Sequence, residues 1–595
     1  MNILGINAFH GDSSAALIQN GKLIAAVEEE RFNRIKHWAG FPAESIRFCL
    51  AAGDIQAEDL DYVAVSFDPR ANLQHKVLFA ITKRPSFKSI IDRVKRQGKS
   101  LSLKQQLADA CGCSADAIRA TIHNVEHHSA HIASSFHVSP FEESAILSVD
   151  GMGDFVSTVA AAGQGTDVKR LSQVHYPHSI GFLYNAITLF LGFHNYGDEY
   201  KVMGLAPYGE PEYVEQFRKL IFPKGDSFEL NLDYFTHHKT GISMTWDDGS
   251  PVVQPFHSDQ LEQLLGPARE ARGEVTGRHQ NIAHSMQVVT EEILFHLLNQ
   301  LHKKCPSDNL CLAGGVAMNS VANGKITSNT PFKNLFIPGG AADNGTSFGA
   351  AFHVWHEILG EPRSFVQEHA YLGTEHSDAD CAVALEAYDL DECKLERKEL
   401  VERVVDALCD GQVIGWFQGR MEFGARALGN RTLLADPRRT DMRDIINLKI
   451  KFREKFRPFA PSILEERVSD FFEIDEPSPF MERVFPIRTE KREVIPAVTH
   501  VDGSGRLQTV SKKTNPLYWE LIKAFEDRTG VPIVLNTSLN ENEPIVNTPQ
   551  QAIDCMLRTK MDAIVIGSYF IPRPQAVATA SQGENVEPHL VHEVE

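Results

Sequence analysis

The chain opens with three short apolar runs separated by polar turns. Residues 2–7 form a strand-like run, His10-Gly11-Asp12-Ser13-Ser14 a polar turn, residues 15–18 a second run, and residues 22–27 a third beyond Asn20-Gly21. An Asn-Gly pair between two such runs predicts a hairpin. The same plan returns after residue 145: an apolar run to Val149, the turn Asp150-Gly151-Met152-Gly153-Asp154, a run over 155–161, and a Gly163-Gln164-Gly165 turn. This internal repeat predicts two similar lobes that hold a nucleotide phosphate between their polar first turns, where backbone N–H groups and small side chains allow close approach. Two later units add to the plan. Residues 309–313 turn through Gly314-Gly315 into a helix, and residues 332–338 turn through the Gly-rich stretch 339–345 into a helix over 346–359. Both units aim backbone amides and helix N-termini at one spot, a phosphate cradle. The candidate nucleotide contacts are Asp12, Ser13, Gly151, Gly314, Gly315, Asn319, Gly339 and Gly340.

Helical spacing of apolar positions predicts helices near 44–52, 181–191 and 281–301. Residues 197–209, dense in glycine with one lysine and one glutamate, read as a compact loop suited to a substrate edge, and 210–275 as a partly helical insertion. The charges of Glu28-Glu29-Glu30-Arg31 read as a solvated face or a subunit contact, and the basic amphipathic stretch 83–104 as an exposed helix or a lid over an anionic ligand. A polar linker at 361–378 divides a first domain, 1–360, from a second, 379–573. The second begins with a helix over 401–410 and a strand over 413–417, and an acidic tail, 574–595, is expected to be disordered.

Length and charge narrow the function. A chain of 595 residues exceeds what one core serves, and a net charge of −19 argues against a general nucleic-acid or anionic-membrane surface. Nine scattered cysteines, an odd number, give neither a disulfide framework nor a CxxC metal pattern, which fits a reducing cytoplasm. The N-terminus lacks a basic n-region, and no run is long and apolar enough to span a membrane. Small-molecule partners are expected.

Two clusters carry the chemistry. In the stretch 124–150, His127 and His131 lie four apart and would share one helix face, with His128 and His131 as the alternative pair. Asp150, leaving a strand, and Asp343, in the later Gly-rich turn, could face them. Two His and two Asp make a nitrogen/oxygen site suited to iron, manganese or zinc. In the second domain Arg420, Arg426, Arg431, Lys451, Arg453 and Arg457 are interleaved with Gly, Phe and Pro, near Asn536 and Ser538. Guanidinium forks bind phosphate bidentately and a lysine adds a point charge, so this set suits a phosphorylated anion.

The chain resembles the NodU/TobZ/CmcH family of O-carbamoyltransferases over nearly its whole length. The resemblance is carried by Leu4-Gly5-Ile6-Asn7 with His10 and Asp12, Glu28-Glu29-Glu30-Arg31-Phe32, His127-His128-Ser129-Ala130-His131, Ser148-Val149-Asp150-Gly151, Tyr200-Lys201-Val202-Met203-Gly204, Gly314-Gly315-Val316-Ala317-Met318-Asn319, and blocks at 419–438, 451–461 and 536–546. It implies an α/β protein: an ASKHA-type domain, with the duplicated lobes of actin and sugar kinases, followed by a YrdC-like α/β domain. It also implies that the second domain converts carbamoyl phosphate and ATP, with Mg2+, to carbamoyl adenylate, and that the first passes the carbamoyl group to an acceptor hydroxyl. On that resemblance His127, His131, Asp150 and Asp343 bind a divalent metal, Fe2+ in the family, and His10 is the catalytic base. Arg420, Arg426, Arg431, Lys451, Arg453 and Arg457 serve the donor phosphates, with Lys451 and Arg453 catalytic, while Asn536 and Ser538 orient the carbamate. Family members place Asp directly after the His of the first turn; here Gly11 intervenes. The acceptor stays open among an aminoglycoside, a macrolactam, a Nod-type oligosaccharide or another hydroxyl compound, and so does homodimerisation. A kinase using only the ASKHA half and a non-catalytic nucleotide-binding assembly protein are the alternatives: the first leaves the Arg and Lys blocks of the second domain unexplained, and the second leaves the His/Asp set and both phosphate-site clusters without a purpose.

Overall fold

The computed structural model describes residues 1–83, 103–242, 244–247 and 250–574. The basic stretch 83–104 and the tail from 574 fall, apart from their ends, outside the described residues. The first apolar runs become β1 (Asn2–Asn7), β2 (Ser14–Gln19) and β3 (Lys22–Glu28), antiparallel neighbours in the sheet. Asn20 and Gly21 turn the hairpin with φ of 49° and 76°, the paired positive values that a two-residue loop on twisted strands requires. β4 (Tyr62–Val65) and β5 (Thr121–Asn124) add in parallel beyond β1, so the sheet order is β3-β2-β1-β4-β5.

The second lobe repeats this plan with β6 (Glu143–Gly153), β7 (Val156–Gln164) and β8 (Asp167–His175). Two hairpins follow, β9 (Ile221–Lys224) with β10 (Ser227–Leu230) and β11 (Met244–Asp247) with β12 (Ser250–Val253), in the stretch expected to be a partly helical insertion. Helix Gly277–Lys304 then leads to β13 (Asn309–Ala313) and β14 (Asn334–Phe336), which extend the sheet in parallel to the order β14-β13-β6-β7-β8. The two orders coincide strand for strand, which is the duplicated-lobe architecture expected.

Three expectations are corrected. β6 runs past Asp150 to Gly153 with a register shift after Val149, so the tight turn sits at Asp154-Phe155, both at positive φ. Residues 197–209 are mainly helical, as helix Glu199–Leu205 and a 3-10 turn Ala206–Tyr208, because Val202, Met203 and Leu205 bury one face of that helix. Glu28, Glu29, Glu30 and Arg31 are buried rather than solvated, between 3 and 7 % exposed.

Beyond residue 378 the chain builds a nine-stranded mixed sheet. Its strands are β15 (Cys393–Lys394), β16 (Ile414–Phe417), β17 (Arg431–Ala435), β18 (Ala460–Leu464) and β19 (Arg483–Pro486). They are followed by β20 (Ser504–Val510), β21 (Ile533–Ser538), β22 (Ala563–Ile566) and β23 (Tyr569–Pro572). The order is β15-β23-β22-β16-β17-β21-β18-β20-β19. Helices Arg397–Cys409, Pro516–Thr529 and Pro549–Arg558 pack on it around Trp416, Tyr518 and Ile564. Each such fully buried apolar side chain contributes about 1.5–3 kcal/mol.

The two halves are joined by backbone and buried charge. Ala26 N–H donates to Leu372 O at 3.1 Å, and the Arg420 guanidinium donates to Ile24 O, Leu372 O and Gly373 O at 2.8–3.3 Å. Arg420, expected at the phosphate site, is therefore a clamp between halves. Replacing it with alanine leaves three carbonyls short of a charged donor, which predicts a loss of about 1–3 kcal/mol. The check is the urea midpoint of Arg420→Ala; a midpoint equal to wild type contradicts the clamp.

Candidate functional site

The metal-type cluster is assembled by two helices and a strand. Helix His127–Phe136 starts directly after β5 and is N-capped by Glu126, which accepts from Ser129 N–H at 2.9 Å and is held in place by Arg170. The four-residue spacing puts His127 and His131 on one face. His128 lies on another, bonded to Ser148 Oγ at 2.8 Å and Val156 O at 3.0 Å, and burial pushes it down to about 4. Helix Thr346–His353 crosses the first helix where Gly349 has no side chain; a Cβ there would lie 2.0 Å from Ala130 O. That crossing brings Asp343, in the turn just before the second helix, against the two histidines. β6 supplies Asp150, and at Gly153 a Cβ would sit 2.0 Å from the ring of His127.

The four side chains converge. His127 Nε2 lies 3.0 Å from His131 Nε2, 3.4 Å from Asp150 Oδ2 and 3.5 Å from Asp343 Oδ1, and His131 Nε2 lies 3.4 Å from Asp343 Oδ1. All four ligand atoms are within 4.8 Å of one another. Asp343 Oδ1 is buried and accepts no hydrogen bond, and the Nε2 atoms of His127 and His131 face each other at 3.0 Å, so the donor atoms crowd a common centre. This donor set fits a divalent ion of the borderline nitrogen/oxygen class. Burial works against charge on His127, yet Asp150 and Asp343 lift it well above the usual histidine range, while Asp343 is held well below the carboxylate range.

The second cluster is cationic. Lys451 is 2 % exposed and directs its ammonium to Asn540 O at 2.7 Å, Asn540 Oδ1 at 2.6 Å and the Ser538 carbonyl and hydroxyl, so it pins the loop after β21. Burial, with Arg453 adding repulsion, pushes it well below the lysine range. Arg453 donates to Asn447 Oδ1 at 2.7 Å and lies over Phe459, and burial beside Arg457 lowers it to about 9. Arg457 stacks over Tyr200 at 4.6 Å. Arg426 and Arg506 make no hydrogen bond or salt bridge among the described residues, and Arg506 Nε is buried without a partner. Asn536 Nδ2 donates to Ala427 O, Ser462 Oγ and Gln508 Oε1 at 2.8–3.0 Å, which leaves its Oδ1 unpartnered. Glu454, 3.6 Å from Arg457, is the one carboxylate paired with these clustered, desolvated cations among the described residues, and their excess of positive charge suits an anion.

One cavity of about 1710 Å³ joins the two clusters: its wall includes His10, Asp150 and Asp343 at one end and Arg426, Lys451, Arg453, Arg457, Arg506, Asn536 and Ser538 at the other. Comparison with known proteins finds two family models along the chain. Residues 2–352 match the family described as carbamoyltransferase N-terminus, and residues 405–573 match carbamoyltransferase C-terminus. The chain belongs to the carbamoyltransferase family. Nodulation protein NolNO of Sinorhizobium fredii is 40% identical to this carbamoyltransferase over 581 residues, 96% of this chain and 80% of the relative. An uncharacterised Synechocystis protein is also 40% identical, over 612 residues covering 96% and 97% of the two chains. Nodulation protein U of Rhizobium tropici is 27% identical over 557 residues, 91% of each. Among solved structures, the crystal structure of HypF from T. kodakarensis aligns at 16% identity with a TM-score of 0.32, covering 60% of this chain and 48% of that one.

Not every expected residue of the carbamoyltransferase reaches the cavity. Asp12, Gly151, Gly315, Asn319, Gly339 and Gly340 line it; Ser13 and Gly314 do not. Ser13 Oγ donates to Gly40 O at 2.8 Å and His10 O at 3.1 Å, and Gly314 N–H donates to Ala341 O at 2.8 Å, so both serve the local backbone. Arg420 and Arg431 are also off the wall. Arg431 is wholly buried over Phe417, and it donates to the carbonyls of Thr374, Gln418, Gly419 and Asn430. His10 faces the metal-type cluster, its ring 5.7 Å from that of His127. Gly11 fits the family departure to its surroundings, since a Cβ there would lie 2.6 Å from Tyr196 Oη.

Sequence reasoning missed Arg506, Arg31, His37 and Tyr196, all on the cavity wall. Arg506 had a readable signal, an arginine inside the strand-forming run 504–510 with no acidic neighbour in that run. The geometry predicts that His131→Ala loses bound divalent metal, whereas His128→Ala keeps it and costs about 1–3 kcal/mol for the polar groups left unpaired. Metal analysis of the purified variants checks both; equal metal loss in the two would contradict the assignment.

Proposed function

We propose that this carbamoyltransferase forms carbamoyl adenylate at the cationic end of the cavity and delivers the carbamoyl group to an acceptor hydroxyl at the His/Asp end. The observation that carries this reading is the continuity of one cavity between the two clusters. Water would cleave carbamoyl phosphate to carbamate and phosphate, and the carbamate oxygen would attack the α-phosphorus of ATP and expel pyrophosphate; the resulting mixed anhydride, which gives up AMP when the acceptor oxygen attacks its carbonyl, is too water-sensitive to be passed through bulk solvent. Arg426, Arg453, Arg457 and Arg506 would neutralise donor phosphate charge, the effect that preorganised cations supply best in a dry site. Lys451 would hold the loop carrying Ser538 and Asn540 in register with them. The free Oδ1 of Asn536 would accept from the carbamoyl amino group, and the Ser538 hydroxyl would complete its orientation.

At the other end His127, His131, Asp150 and Asp343 would hold a divalent metal, Fe2+ by family resemblance, which when bound supplies Lewis-acid charge to a phosphoryl or carbonyl oxygen. His10 would take the proton from the acceptor hydroxyl, since its ring lies on the cavity wall 5.7 Å from that of His127. Gly151, Gly315, Gly339 and Gly340 on the intervening wall let the nucleotide approach the backbone, with Asp12 and Asn319 beside them, and Mg2+ would accompany ATP.

The two ends predict separable defects. Arg453→Ala should lower pyrophosphate release from carbamoyl phosphate and ATP by about 100-fold or more, with metal content unchanged. His10→Asn should keep pyrophosphate release and lower carbamoylated product by about 100- to 10,000-fold. Both quantities are measured together, with thermal unfolding alongside. Loss of both activities in both variants at normal stability would contradict the division of labour.

A further inference from the structure

The carbamoyl-transfer reading leaves the acceptor undefined, and the cavity wall narrows it. From the Asp150 strand outward, Phe79, Phe155 and Tyr176 form an apolar cluster separate from the main cores, only 4–7 % exposed, with Met152 and Phe182 packed against it. The Phe79 ring centroid lies 5.5 Å from Phe155 and 5.0 Å from Tyr176, and Phe155 and Tyr176 are 5.4 Å apart. All five side chains line the cavity that also holds His10 and Asp150, and Phe182 comes within 3.5 Å of a Cβ placed at Gly151. The His10 ring is 5.8 Å from Phe67, which continues the same wall. At the mouth, Leu73 and Val77 of helix Leu73–Lys83 line the cavity while 52 % and 56 % exposed.

Most polar groups of this arm are engaged by the protein, the exception being Asp154 Oδ1, which is buried without a hydrogen-bond partner. Lys76 Nζ donates to Pro69 O, Tyr176 Oη donates to His237 O, and Asp154 accepts the backbone N–H groups of Asp68 and His127. An acceptor dense in ammonium or hydroxyl groups would lose water here and find few partners in exchange, whereas an apolar body would bury against rings. We propose that the acceptor hydroxyl is carried on an apolar carbon skeleton that lies along the Phe79–Phe155–Tyr176 arm, with Leu73 and Val77 as its outer rim. This rests on the reading that carbamoyl transfer occurs at the His10 end.

The test titrates the full-length protein calorimetrically with 1-butanol through 1-octanol, and with glycerol and a diaminocyclitol as polar probes. Affinity is expected to rise about threefold to fourfold per methylene, with both polar probes binding far more weakly than octanol. The slope should flatten in Val77→Glu, a substitution at a half-exposed position that the fold tolerates. A flat series in the wild type, polar probes that bind as tightly as octanol, or an undiminished slope in Val77→Glu overturns the proposal. If Val77→Glu changes only the sedimentation of the protein, the rim is a contact between copies of the chain and the proposal again falls. Pyrophosphate release is followed separately: its absence in the wild type would count against carbamoyl-adenylate formation, while the alkanol slope alone decides the apolar arm.

Discussion

Burying Asp150 and Asp343 in one pocket is the constraint on which the rest of the first half depends. Two desolvated carboxylates repel and resist ionisation unless positive charge or a metal compensates them. The fold meets this by driving two imidazoles between them, and the four side chains are placed by three different requirements of packing. His127 and His131 need a helix that starts at the end of β5, Asp150 needs β6 to continue past Val149, and Asp343 needs a helix close enough to touch Ala130 through Gly349. No single element of the two lobes could be shifted by a turn without breaking the set.

A single buried carboxylate couples this centre to the cationic end. Glu28 accepts from Asn344 Nδ2 at 2.9 Å and from Gly424 N–H at 2.7 Å, and Arg31 donates to Gly424 O at 3.0 Å. Asn344 follows the ligand Asp343 directly, and Gly424 stands two residues before Arg426. Burial raises Glu28, and Arg31 opposes that shift. The placement of the Asp343 turn and of the Arg426 loop is thus referred to the same oxygen atom. A charged segment that looks like a solvated face is the hinge pin of the site.

The strands and their duplication were legible because they rest on local patterns: apolar runs, an Asn-Gly turn and paired Gly-rich turns. The His/Asp set was legible for the same reason, since a helical period fixes which histidines share a face, although the choice between His127 and His128 needed the contact with Ser148. The cationic end was only partly legible. Composition and spacing cannot distinguish an arginine that faces a cavity, such as Arg453, from one that spends its donors on carbonyls, such as Arg420 and Arg431. That distinction depends on which strand of the mixed sheet lies beside which, a long-range property. The burial of Glu28 and Arg31 was hidden likewise, because their partner Gly424 lies nearly four hundred residues away.

The two ends of the cavity differ in how freely they can vary. At the cationic end Lys451, Asn536 and Asn447 are tied into strands and loops of the large sheet, so a substitution there is felt by folding and by the arrangement of the neighbouring arginines together. At the mouth of the other arm Leu73 and Val77 are half exposed, and exchanging them asks little of the core. The rim side chains can therefore be exchanged without disturbing the packing that holds the cationic end in place.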